Sequence, residues 1–169
     1  MVVDKPTHQE LERAHQMFED IEPRSIFYRA AMNLVDLAIQ NKAELNLAEA
    51  ISVLLKTWNV SYYRFRPFDK EHVSDIEELL RKHMQTINNI RQRSIEDFSD
   101  KDVEVVKSLF EDFEHVLGKT GAAKCLHLLA PRFFPLWDTK IAVAYKLGKG
   151  EEAERYCRFR RRPRTKLSV

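Results

Sequence analysis

Residues 113–129 read FEHVLGKTGAAKCLHLL, and residues 130–142 continue APRFFPLWDTKIA. The first run carries one apolar stripe ending at Leu117, then a glycine, then a second stripe from Ala122 to Ala130, which predicts a helix, a glycine-containing turn and another helix. Gly118 suits a left-handed C-cap, and Gly121 removes a side chain where the second helix begins. After Pro131 the chain must leave the helix. Phe133, Phe134, Pro135, Leu136 and Trp137 then form an apolar bend expected to bury itself against the rest of the protein. Asp138 stands where it can cap a further helix through Thr139, Ile141, Ala142 and Tyr145. This succession is the corner of an all-α protein.

Working outward, the upstream chain has the same character. Thr7-His8-Gln9-Glu10 is a capping-box pattern, and Leu11, Ala14, Phe18 and Ile21 follow at helical spacing until Pro23. Phe27, Ala30, Ala31, Leu34 and Ala38 make a second stripe over 24–40, and Asn46 with Glu49 opens a third helix through Ala50, Val53, Leu54 and Trp58. A long helix is expected from about Lys70 to Arg93 on Val73, Ile76, Leu80, Met84, Ile87 and Ile90. Ser99 or Asp100 starts another, with Val103, Val106, Phe110, Phe113 and Leu117 on its buried face. The expectation is a single-domain orthogonal helical bundle of about seven or eight helices with a C-terminal helical hairpin, spanning 1–154, followed by a basic tail at 155–169 that frays.

The stretch 58–68, WNVSYYRFRPF, interrupts this regularity and reads as a short extended or irregular link. Its interleaved aromatic and basic residues suit base stacking and phosphate contact, but the closing of a core edge by tyrosine and phenylalanine is the reading favoured here. All four glycines fall in the last third of the chain, so that part must turn tightly or approach something closely.

Composition bounds the function. At 169 residues and 44% hydrophobic content the chain is long enough for one real core. No apolar run approaches the roughly 20 residues that span a bilayer, so a soluble, cytoplasmic protein without a membrane partner is expected. Cys125 and Cys157 are read as reduced thiols, and Asn59-Val60-Ser61 as a chance sequon. The six histidines are scattered without a ligand motif, so neither a metal nor a cofactor is expected. Arg155, Arg158, Arg160, Arg161, Arg162, Arg164 and Lys166 are interrupted by no acid, which favours polyanions or is simply a solvated end.

Free N–H groups near Gly118, Thr120 and Gly121, with Lys119 and Lys124 beside them, suit a phosphate. A glycine-containing helical hairpin, a lysine near the start of its second helix and the helix start Asp138-Thr139-Lys140-Ile141 resemble the helix-hairpin-helix DNA glycosylases. The resemblance covers about 105–145 and implies that Gly118 to Gly121 grip a DNA phosphate, that Lys119 or Lys124 attacks the sugar as a Schiff-base nucleophile, and that Asp138 supports the developing charge. His127, Phe134 and Trp137 would then line a pocket for a flipped base. Arg158, Arg160, Arg161 and Arg162 would add salt-sensitive affinity. The run from Lys124 to Asp138 also resembles a KxLHLLxPxFFPLWD signature of uncharacterised helical bacterial proteins, which names no chemistry. The alternative is a non-catalytic helical module that binds nucleic acid or a protein partner, or self-associates, with Asp138 only a helix cap.

Overall fold

In the computed structural model, residues 7–22, 25–42 and 44–160 are described. Helix α1 (His8–Ile21) opens on the expected capping box, with the Glu10 N–H donating to Thr7 Oγ1 and the Thr7 N–H donating to Glu10 Oε2. After α2 (Ser25–Ile39), the same reciprocal pair between Asn46 and Glu49 opens α3 (Leu47–Trp58). These boxes satisfy backbone donors that a helix start otherwise leaves unpaired. A single turn, α4 (Val60–Tyr63), precedes the long α5 (Lys70–Arg91), which Asp69 caps through the His72 N–H at 2.9 Å.

Two 3-10 turns, Ile95–Asp97 and Asp100–Asp102, lead into α6 (Val103–Leu129). Ser99 therefore starts a 3-10 turn rather than the α-helix itself, because Asp102 reaches back to the Ser99 N–H at 2.7 Å and tightens that turn. The same carboxylate receives both terminal nitrogens of Arg93, at 2.6 and 2.8 Å. Two short helices complete the chain, α7 (Thr139–Ala144) and α8 (Glu152–Arg160). Among the described residues there are eight α-helices and no strand, as an all-α bundle requires.

Packing centres on α3 and α6. Helix α6 lies against α2, α3, α5 and α8, and α3 against α2 and α5. Ile51, Leu54 and Leu55 of α3 are fully buried, each worth about 1.5–3 kcal/mol relative to exposure. The expected α5 stripe is borne out by the burial of Ile76, Leu80, Ile87 and Ile90. Arg91 ties three helices at once, donating to the Leu129 carbonyl at 2.6 Å and pairing with Asp36.

Four local details differ from the sequence expectation. The link at 58–68, expected to be extended or irregular, contains the helical turn α4, because the Tyr63 and Arg64 amides bond the Asn59 and Val60 carbonyls. The helical hairpin has no loop: its two halves meet directly at Gly118, which is the non-helical residue of α6. With φ 68° and ψ 162°, Gly118 is not in the left-handed helical region of a C-cap but in one that essentially only glycine enters. Finally, residues 155–160 belong to α8 and not to a frayed tail, since Tyr156, Cys157 and Arg160 are buried; Arg161, Arg162, Arg164 and Lys166 lie outside the described residues, as does Pro23.

Candidate nucleic-acid interface

The glycines of α6 are explained by what approaches them. A Cβ on Gly118 would lie 2.7 Å from Tyr62 Cε2, and one on Gly121 would lie 2.9 Å from Asn59 Nδ2. Tyr62 also donates its hydroxyl to the Val116 carbonyl at 3.0 Å, and the Asn59 amide donates to the Leu117 carbonyl at 3.4 Å. The link at 58–68 therefore closes over the kink, and the two stretches marked by the sequence for nucleic acid pack against each other. Gly121 is buried there, so the glycine pair serves helix packing.

Lys124 and His127 are polar positions on an otherwise buried half of α6, and both face the aromatic side of α2 and α3. Lys124 Nζ donates to the Trp58 carbonyl and stands 5.6 Å from the Trp58 ring centroid. His127 Nδ1 lies 2.6 Å from the Phe134 carbonyl, which can only accept, so Nδ1 carries the proton and Nε2 accepts from the Tyr28 hydroxyl at 2.7 Å. Burial holds the His127 imidazole below its ordinary pKa of 6.5, against a smaller upward pull from the Phe134 carbonyl, and burial likewise pushes the Tyr28 phenol up. A neutral histidine with a fixed tautomer follows.

Lys119 is drawn elsewhere. It stands 3.7 Å from Glu152 Oε1, the carboxylate that also takes Arg155 Nη1 at 2.6 Å and, on its other oxygen, Trp137 Nε1 at 3.2 Å. Glu114 nearby is raised above the ordinary carboxylate range, by burial first and by Glu152 next. Asp138 accepts from the Ile141 N–H at 2.8 Å and so caps α7. Phe134 and Trp137 are 0% and 2% exposed, and Trp137 packs its ring on Tyr156 and Phe159. The bend thus buries itself as expected, and neither ring presents a face to a ligand.

Of the C-terminal arginines, Arg158 is exposed and reaches the Lys149 carbonyl at 3.5 Å. Arg160 is 3% exposed: it donates to the Phe133 carbonyl at 2.8 Å and its guanidinium lies 4.0 Å from the Phe133 and 4.3 Å from the Phe98 ring centroids. Sequence reasoning missed this cation because it counted as one charge in a basic block. The spacing of Ala153, Tyr156, Cys157 and Arg160 was the available signal, hidden by arginine occupying the last buried place. Thr120 is half-buried beside Lys119.

The link and the helix ends beside it are rich in cations. From Lys56 to Lys70 the chain has Lys56, Arg64, Arg66 and Lys70 against one acid, Asp69. Lys56, Arg64 and Lys70 are exposed, whereas Arg66 is half-buried, 3.4 Å from Asp75. No described residue forms an ion pair with Arg64. Among the described residues no group of three or more His, Cys, Asp or Glu is arranged to hold a metal ion, and no helix is long and apolar enough to cross a membrane. Compared with known protein families, curated proteins and solved structures, the chain matches none.

Proposed function

We propose that the chain is a non-catalytic helical module that binds nucleic acid. The observation that carries this reading is the closure of the basic, aromatic link 58–68 over the Gly118 kink, with Arg64 exposed within it and Lys56 and Lys70 exposed on the helices that flank it. Exposed cations around a fixed backbone are what a polyanion needs, and the affinity they give is salt-dependent. A cytoplasmic location accompanies this reading. The glycosylase reading is weaker on physical grounds: Asp138 caps a helix, Lys119 pairs with Glu152, and the two rings of the candidate pocket are buried.

The test is fluorescence anisotropy with labelled single-stranded and duplex oligonucleotides across a salt series, joined to borohydride trapping on abasic duplex. Binding that weakens with salt, with neither product nor covalent adduct, is expected. An adduct lost in Lys124→Ala or Lys119→Ala would restore the enzymatic reading.

A second reading, a protein partner or self-association, is favoured by one observation. Every α1 side chain that is described is exposed, and Met17, Phe18 and Ile21, at positions i, i+1 and i+4 of α1, form an exposed apolar face on it, Ile21 being 74% exposed. Amphipathic helices commonly bury such a face. Light scattering on Ile21→Glu decides it: self-association lost without a fall in Tm supports that use of α1, and a monomeric wild-type chain removes the self-association half of the reading.

A further inference from the structure

We propose that Phe65 is a base-stacking contact, held out on the turn after α4 to lie against an unpaired or single-stranded base while Arg64 meets the adjacent phosphate. The inference rests on the nucleic-acid reading above and names the residues and the kind of strand. Phe65 is 86% exposed, more than any other large hydrophobic residue described. Three neighbouring aromatics are anchored inward. Tyr62 covers Gly118, Tyr63 bonds His72 Nε2 at 3.0 Å, and Phe68 packs its edge on Tyr63 and His72.

The turn that presents Phe65 is hydrogen-bonded. Arg64 N donates to the Val60 carbonyl at 3.0 Å, Phe65 N to the Tyr62 carbonyl at 3.1 Å, and Pro67 follows. Phe65 thus projects from an ordered backbone, and its ring meets no other ring among the described residues. Arg64 on one side has no ion pair there, and the single acid of the segment, Asp69, is occupied in capping α5. An exposed planar ring next in the chain to an exposed arginine matches a ligand with phosphates and flat bases, because every base offers a π-face to stack on. Fully paired stretches hide those faces between stacked neighbours, whereas a single strand leaves them accessible. An acidic protein surface would use the same charges but would gain nothing specific from the ring's face.

The experiment is a titration of single-stranded oligonucleotides carrying 2-aminopurine with wild type, Phe65→Ala, Phe65→Trp and Arg64→Ala, beside heparin as a polyanion without bases. Wild type should alter 2-aminopurine emission on binding. Phe65→Ala should bind about tenfold more weakly and lose that change, and Phe65→Trp should retain both. Heparin should bind wild type and Phe65→Ala alike, and Arg64→Ala should lower the salt slope by about one. If Phe65→Ala equals wild type on the oligonucleotide, or loses heparin to the same degree, the stacking role is overturned while nucleic-acid binding stands. If wild type binds no oligonucleotide even at low salt, the underlying reading falls and this one with it. Because Phe65 is almost fully exposed, its replacement leaves the fold intact, and circular dichroism verifies that.

Discussion

The ring of Tyr62 occupies the space that any side chain at position 118 would require. A Cβ there would stand 2.7 Å from Cε2 and 2.9 Å from Cδ2 of that ring. The ring is not at liberty to withdraw, because its hydroxyl is held by the Val116 carbonyl and by Arg66 Nη1 at 3.1 Å. Gly118→Ala therefore meets both a steric conflict and a backbone dihedral that L-residues avoid, and is expected to destabilise the protein by roughly 2–4 kcal/mol. In a Tyr62→Ala background the steric part is already gone, so urea unfolding of the double variant should show non-additivity of about 1 kcal/mol.

Asp138 offers a clean separation of capping from chemistry. Asp138→Ala should lower stability by about 1 kcal/mol, and Asp138→Asn should restore most of it, since asparagine caps as well as aspartate. Nucleic-acid affinity should be the same in both variants. A loss of nucleic-acid binding in Asp138→Asn at undiminished Tm would show that the carboxylate does more than cap.

Arg160 should behave as a core residue. Removing a guanidinium packed on Phe98 and Phe133 strands the Phe133 carbonyl and empties an aromatic enclosure, so Arg160→Ala is expected to cost about 2–4 kcal/mol. Arg160→Met, which refills the volume, should cost less. Neither change should alter the salt slope of nucleic-acid binding, in contrast to Arg64→Ala.

Stability should fall on mild acidification. Burial depresses His127 and, together with the nearby Arg66 charge, His72, so both are less readily protonated when folded than unfolded. The unfolded chain then binds more protons as pH drops through the ordinary histidine range, and the stability present above about 6.5 is progressively lost toward the folded values. His72→Gln/His127→Gln should flatten the dependence of the urea midpoint between about pH 7.5 and 5. A second decline belongs to Asp112 and Asp102. Hydrogen bonds from Lys82 and His83 lower the first, and hydrogen bonds from Arg93 lower the second, so their contribution is lost only as pH falls below the ordinary carboxylate range.

How much of this was legible depends on the range of the interaction. The capping boxes at Thr7 and Asn46 and the three-and-four spacing of Ile76, Leu80, Ile87 and Ile90 are local, and the structure realises them. Asp138 as a cap was legible for the same reason. A one-turn helix such as α4 is too short for a period to register, so the face on which Phe65 projects had no signature. The glycine pair announced a close approach without naming the approaching groups, Tyr62 and Asn59, which come from far upstream. Tyr28 as the hydrogen-bond partner of His127, across a separation of 99 residues, left no trace in either local sequence.

The kink in α6 also bears on the order of events during folding. The bonds that hold the link against it join residues 54, 58 and 66 positions apart, so they close long loops and form late. Until they close, nothing keeps Gly118 from ordinary helical angles, and the nascent segment is free to run as one straight helix of 27 residues. Substitutions at the contact between Tyr62 and Gly118 should accordingly speed unfolding and leave the folding rate nearly unchanged.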